Sequence, residues 1–311
     1  MRPVRIGIVG LGKIARDQHV PSITADPGFV LAAVASRHAR LPDVPSFPTL
    51  EDMLAGMPDL EALAVCTPPA AHYEAARLAL ESGRHVLLEK PPCSSTAQLE
   101  HLARLAASVS RTLYATWHSQ HAPAVGAARK LLCERVLERV QVAWLEDVRH
   151  WHPGQRWLRE PGGFGVFDAG INALSILTHV LPGPLFARAA RLFVPENWAV
   201  PIAAELELEA SAGVPVSARL DFRHPGPPLW EIDFRTGVGA VTLADGGATL
   251  RCEGQAAESP RPALASEYAA IYRRFGELIA RGGSEIDARP LQCVADLFLI
   301  GQHISVEPFL D

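Results

Sequence analysis

Lysine is scarce in this chain. Of its 29 basic residues only Lys13, Lys90 and Lys130 are lysine. Nor is there an excess of positive charge, since the formal net charge is -5. That excludes the basic footprint of a nucleic-acid binder and a polybasic membrane patch. No uninterrupted apolar run reaches membrane-spanning length. The opening MRPVRIGIVGLG runs straight into a strand pattern and lacks the parts of a secretory signal. The five cysteines, Cys66, Cys93, Cys133, Cys252 and Cys293, are odd in number, widely spaced and form no CxxC. Reduced thiols in a cytoplasmic protein are expected. No cluster of ligating side chains predicts a metal site.

What is present has the balance of a globular protein of one or two domains, with 311 residues, 48% of them hydrophobic and 20% charged. The first 120 residues alternate strand and helix signals. Val4–Val9, Phe29–Ala35, Leu60–Cys66, His85–Glu89 and Thr112–Thr116 read as strands, with helices from about Lys13 and over His72–Ser82. Such alternation predicts βαβ units and a doubly wound parallel sheet. Beyond it, Arg139–Glu146 and a series of period-two segments from Phe186 to Glu253 predict an open, mostly antiparallel sheet. Phe164–Leu181, Ala263–Arg281 and Arg289–Ser305 read as helices. The expectation is an N-terminal dinucleotide-binding domain over 1–120 and an α+β substrate domain over 121–311.

Gly10-Leu11-Gly12-Lys13-Ile14-Ala15 is G-x-G-x-x-A placed directly after a strand and at the start of a helix. Gly10 permits the tight turn, Gly12 lets a pyrophosphate approach the backbone, and Ala15 lets helix and strand pack closely. The helix start offers N–H groups to phosphate. A carboxylate is missing at the tip of the second strand, where an NAD site places one for the ribose 2′-OH. Ser36 and Arg37 stand there instead. A hydroxyl and a guanidinium suit a 2′-phosphate, so NADP is the predicted cofactor, with NAD tolerated.

Lys90 follows the strand His85–Glu89 and precedes Pro91 and Pro92. Ligands of a parallel sheet bind beyond the carboxyl ends of its strands, so this lysine is aimed at the cofactor crevice. Pro91 restricts its backbone to an extended form. A lysine so placed can donate to, or exchange a proton with, a reacting hydroxyl.

Four features now coincide: the glycine motif, Thr67-Pro68-Pro69 with His72 shortly after, Glu89-Lys90-Pro91, and Asp168-x-Gly-x-Asn172. Together they resemble the glucose–fructose oxidoreductase, inositol dehydrogenase and rhizopine-catabolism (Gfo/Idh/MocA) family over essentially the whole chain. The resemblance implies that Lys13, Ile14, Thr67, Pro68, His72 and Glu89 join Lys90 around the cofactor. ATWHSQHA, RHWHPGQRW and GGFGVFDAGINALSI resemble the family's aldose dehydrogenases in particular. That implies oxidation of a sugar such as L-arabinose or D-galactose at C1 to a lactone, by a homo-oligomer, either dimer or tetramer.

Asp168 and Asn172 lie four residues apart, about 40° apart on one helix face. By residue type alone Asp168 reads equally well as a helix cap. The resemblance makes both residues catalytic. Family members acting on inositol carry His at the position of Asn172. Asparagine is no base, so proton removal is expected of Lys90, Asp168 or both, with Asn172 orienting the sugar. Gly162, Gly163 and Gly165 are expected to let a ligand approach the helix start. Among the six tryptophans, Trp151 and Trp230 are candidates to cover the C–H face of a pyranose. His118, Glu146 and His152 are candidates for its hydroxyls. Two rivals remain at this stage. One is a dehydrogenase of another aldose, an inositol or a dihydrodiol. The other is a nicotinamide-sensing regulator without catalysis.

Overall fold

The β-branched run at the N-terminus forms strand β1 (Val4–Val9), whose last four residues are buried, as a strand covered on both faces should be. The computed structural model describes residues 2–253 and 263–310, and the chain divides into two compact units. The first unit holds β1, β2 (Phe29–Ala35), β3 (Ser46–Phe47), β4 (Ala62–Val65), β5 (His85–Leu88) and β6 (Leu113–Ala115) in one sheet of order β3-β2-β1-β4-β5-β6. All its pairings are parallel. Strand order reverses between β1 and β4, which is where the carboxyl ends of such a sheet open a crevice. This is the expected doubly wound fold.

The first unit contains Met1–His118 and also Leu264–Ala288, so the second domain is not the contiguous block 121–311. The reason is the aromatic face of the helix Ala263–Arg281. Tyr268, Tyr272 and Phe275 are fully buried there, in one cluster with Ile6, Ile8, Phe29, Ala64 and Tyr114. Phe275 stacks on Phe29 at 5.9 Å, and Tyr272 meets the same ring edge-on at 5.5 Å. Removing any one of these rings would cost about 3–5 kcal/mol, enough to fix where the helix packs.

The second unit holds Ser119–Ala263 and Arg289–Asp311. Its sheet is formed by β7 (Leu137–Leu145), β8 (Leu185–Pro195), β9 (Ala203–Ala210), β10 (Val214–Asp221), β11 (Leu229–Thr236), β12 (Gly239–Ala244), β13 (Thr249–Cys252) and β14 (Gln302–Val306), in the order β13-β12-β11-β7-β10-β9-β8-β14. Only β7 with β10 and β8 with β14 pair in parallel. Strand β14 departs from the sequence reading, which continued the preceding helix to Ser305. The helix ends at Ile300. A Cβ on Gly301 would stand 2.6 Å from the Leu297 carbonyl oxygen, and beyond it the chain adds to the edge of β8.

The helix Phe167–Val180 packs on this sheet with almost no clearance, since a Cβ on Gly170 would lie 2.4 Å from Leu220 Cδ1. The glycines before it serve the same end. A Cβ on Gly163 would be 2.3 Å from the Trp157 carbonyl oxygen, and one on Gly165 2.2 Å from that of Pro201. These two glycines therefore admit the protein's own backbone and not a ligand. Only Gly162 of the three has open space around it. No helix among the described residues is long and apolar enough to cross a membrane.

Candidate active site

The cradle in the first unit is built on the turn after β1. Gly10 has φ +90°, and a Cβ there would lie 2.8 Å from the Thr67 amide nitrogen and 2.9 Å from the Cys66 carbonyl carbon. The fold itself requires that glycine. Gly12 differs, because a Cβ there would meet nothing within 4 Å. The open space over its backbone is what a pyrophosphate needs. Ile14 precedes a π-turn, Ala15–His19, with no side chain capping it, and the helix continues as Val20–Ala25. Single π-turns recur at functional sites. Lys13 is exposed and ion-pairs with Asp17. Ser36 follows β2, held by its N–H to the Phe47 carbonyl at 2.9 Å, and Arg37 beside it is exposed. The hydroxyl of Thr67 is buried and meets no hydrogen-bond partner among the described residues. Open glycine backbone, an uncapped helix start and an orphaned hydroxyl together fit a dinucleotide.

His72 ties two strand tips together. Its Nδ1 lies 2.9 Å from the Pro91 carbonyl and its Nε2 also faces a carbonyl, that of Thr67. Burial pushes this imidazole below its ordinary pKa, and the two carbonyls oppose that shift. Its role is thus to fix the loops bearing Thr67, Pro68 and Pro91. The Lys90–Pro91 peptide is cis, and Lys90 is half-buried.

Glu89 belongs to a network that sequence reasoning did not find. One carboxylate oxygen accepts the Lys90 N–H at 2.9 Å. The other accepts the Tyr268 hydroxyl at 2.8 Å and faces His19 Nε2 at 3.0 Å. An ionised carboxylate only accepts, so Nε2 carries the proton. His19 Nδ1 reaches the Tyr272 hydroxyl at 2.8 Å. His118 also lies in this unit, stacked on Tyr268 and 2.6 Å from Glu267.

Burial alone would raise Glu89, but the hydrogen bond and charge of His19, the charge of His118 and the Tyr268 hydroxyl outweigh it and hold the group at about 2. A folded value below the ordinary 4.5 means that the ionised form stabilises the fold above that pH. The contribution is lost as pH falls towards 2. Glu89→Gln should therefore flatten the acid limb of Tm against pH between roughly 4.5 and 2. Parallel curves for the two proteins would contradict the network.

In the second unit Glu146 is the centre. It is 3% exposed, accepts the Trp230 indole N–H at 2.8 Å and lies 3.0 Å from His152 Nε2. Register brings this about, because Trp230 on β11 faces Trp144 on β7, just before Glu146. Trp151 meets Trp230 edge to face at 4.9 Å and is 38% exposed. A buried carboxylate beneath an accessible indole pair is a chemistry suited to a sugar. Trp117, Trp144 and Trp198 are buried, whereas Trp157 is only half-buried.

Asp168 is 5% exposed, at the second position of the helix Phe167–Val180. Val166 occupies the N-cap position, so the reading of Asp168 as the cap falls away. Asn172 is half-buried one turn on. No group of three or more ligating side chains able to hold a metal occurs among the described residues.

A doubly wound sheet with a dinucleotide cradle and a strand-tip lysine, together with a second, mixed-sheet unit, defines a nicotinamide-dependent oxidoreductase. The family model described as "Oxidoreductase family, NAD-binding Rossmann fold" matches residues 4–116. Galactose 1-dehydrogenase of Pseudomonas fluorescens is 45% identical over 314 residues, covering 100% of both chains. The crystal structure of D-galactose-1-dehydrogenase from Rhizobium etli superposes with TM-score 0.94 at 46% identity, covering 100% of this chain and 99% of that one. A 3-ketoreductase from Actinomadura kijaniata, in complex with TDP-benzene and NADP, shares the fold at 20% identity, with TM-score 0.82 and 98% and 99% coverage. The chain belongs to the Gfo/Idh/MocA oxidoreductase family.

Proposed function

We propose that this protein oxidises an aldopyranose, D-galactose or L-arabinose, at C1 to the aldonolactone, with NADP+ preferred over NAD+. The full-length likeness to galactose 1-dehydrogenase carries this reading. The two sugars share configuration at C2 to C4, so one site can take both. When bound, the nicotinamide supplies the hydride acceptor. The protein's part is to bind, orient and move the proton. Gly10, Gly12, Lys13 and Ile14 position the pyrophosphate. Ser36 and Arg37 take the 2′-phosphate, and Thr67, Pro68, His72 and Glu89 shape the crevice. Lys90 and Asp168 share acid/base work on the C1 hydroxyl: the O–H proton leaves to them as C1 loses its hydrogen and the C=O forms. Asn172 orients the ring, Trp151 and Trp230 cover its C–H face, and His118, Glu146 and His152 bind its hydroxyls. Self-association through the open face of the second sheet belongs to the same reading.

The oxidised position is testable directly. With D-galactose deuterated at C1, the deuterium should appear in the reduced nicotinamide. A reduced cofactor carrying only protium would place the chemistry at another carbon.

A further inference from the structure

We propose that the cavity beside Trp198 in the second unit binds a small oxyanion, a carboxylate or a phosphate. The cavity is about 360 Å³ and is lined by Arg149, His152, Gln155, Arg156, Arg159 and Trp198, among others. No acidic side chain lines it. Asp147 lies behind Arg149 and takes two bonds from its guanidinium, at 2.9 and 2.7 Å, so that charge is balanced. Arg156 is exposed and pairs with no carboxylate among the described residues.

A second, independent feature points the same way. Trp198 is 8% exposed, and its buried indole N–H meets no acceptor among the described residues. The wall thus carries guanidinium groups and no carboxylate, with that unpartnered indole N–H on one of its lining residues. Its complement is a group that only accepts, and a planar or tetrahedral oxyanion matches guanidinium geometry. His152 joins this cavity to Glu146, which it contacts through Nε2 at 3.0 Å. An occupant would therefore stand next to the pair assigned to the sugar's hydroxyls.

Two sources present this chemistry. One is phosphate, free or esterified. The other is the aldonate formed when the sugar lactone hydrolyses, and only that source rests on the proposed function. The test is titration calorimetry of the full chain, without cofactor, with inorganic phosphate and with D-galactonate at matched ionic strength. Wild type should bind at least one of them saturably at a single site. Arg156→Ala and Trp198→Phe should each weaken that binding by about tenfold or more, the effect of one lost charge-assisted or buried hydrogen bond. Binding of phosphate alone or of galactonate alone supports the site and identifies its source. Saturable binding of neither anion, or affinity unchanged in either variant, overturns it. A failure of sugar turnover would leave the phosphate result standing.

Discussion

Lys90→Met is expected to lower kcat with D-galactose by about 10³-fold, within the range general acid–base groups contribute. Methionine keeps the length and apolar stem of lysine and removes only the proton-bearing group. The backbone around it should survive, because Glu89 holds the Lys90 N–H at 2.9 Å whatever the side chain, and His72 anchors the Pro91 carbonyl at 2.9 Å. Loss of turnover without loss of Tm is therefore the expected signature. A variant that keeps near-wild-type kcat would remove Lys90 from the chemistry, however well its position suits it.

Asp168→Asn is the second large effect, with kcat expected to fall about 10²-fold. The side chain keeps its shape but loses its charge and its ability to take a proton. The loss is smaller than at Lys90 because the lysine alone can still exchange a proton with the hydroxyl. Asn172, one turn further along the helix, gives no substitute, since an amide does not act as a base. Asp168 lies at the second position of a helix whose N-cap is Val166, so its role is not to close that helix end. If Asp168→Asn turned over sugar as fast as wild type, the shared acid/base assignment would fail.

The dinucleotide fold was legible because its signals are local. A glycine turn after a β-branched run and the alternation of short strands with helices each lie within a few tens of residues. The long-range features were not legible. Nothing near Tyr268 and Tyr272 says that their partners are His19, Phe29 and Glu89. The helix that bears them therefore read as part of the second domain. The one available signal was two tyrosines four apart on one helix face, with a histidine in the helix after the glycine turn. Glu146, His152 and Trp230 were each singled out, but the bond from Trp230 to Glu146 depends on the register of β7 with β11 and joins residues 84 apart. Glycines misled where they served the protein's own packing, at Gly163 and Gly165. Strand β14, Gln302–Val306, was hidden because it follows the helix after the single residue Gly301 and pairs with β8 about a hundred residues earlier in the chain.

The measurement that tests the account most directly is formation of reduced nicotinamide by the purified protein. NADP+ and NAD+ would each be offered with D-galactose, L-arabinose, D-glucose, D-xylose and myo-inositol, for wild type and Arg37→Ala. The account predicts rapid reduction with D-galactose and L-arabinose and little with myo-inositol. It also predicts a preference for NADP+ that Arg37→Ala diminishes by about tenfold or more, the effect of one lost charge-assisted bond to phosphate. No reduction with any sugar, despite tight cofactor binding, would contradict it and recast the protein as a nicotinamide sensor.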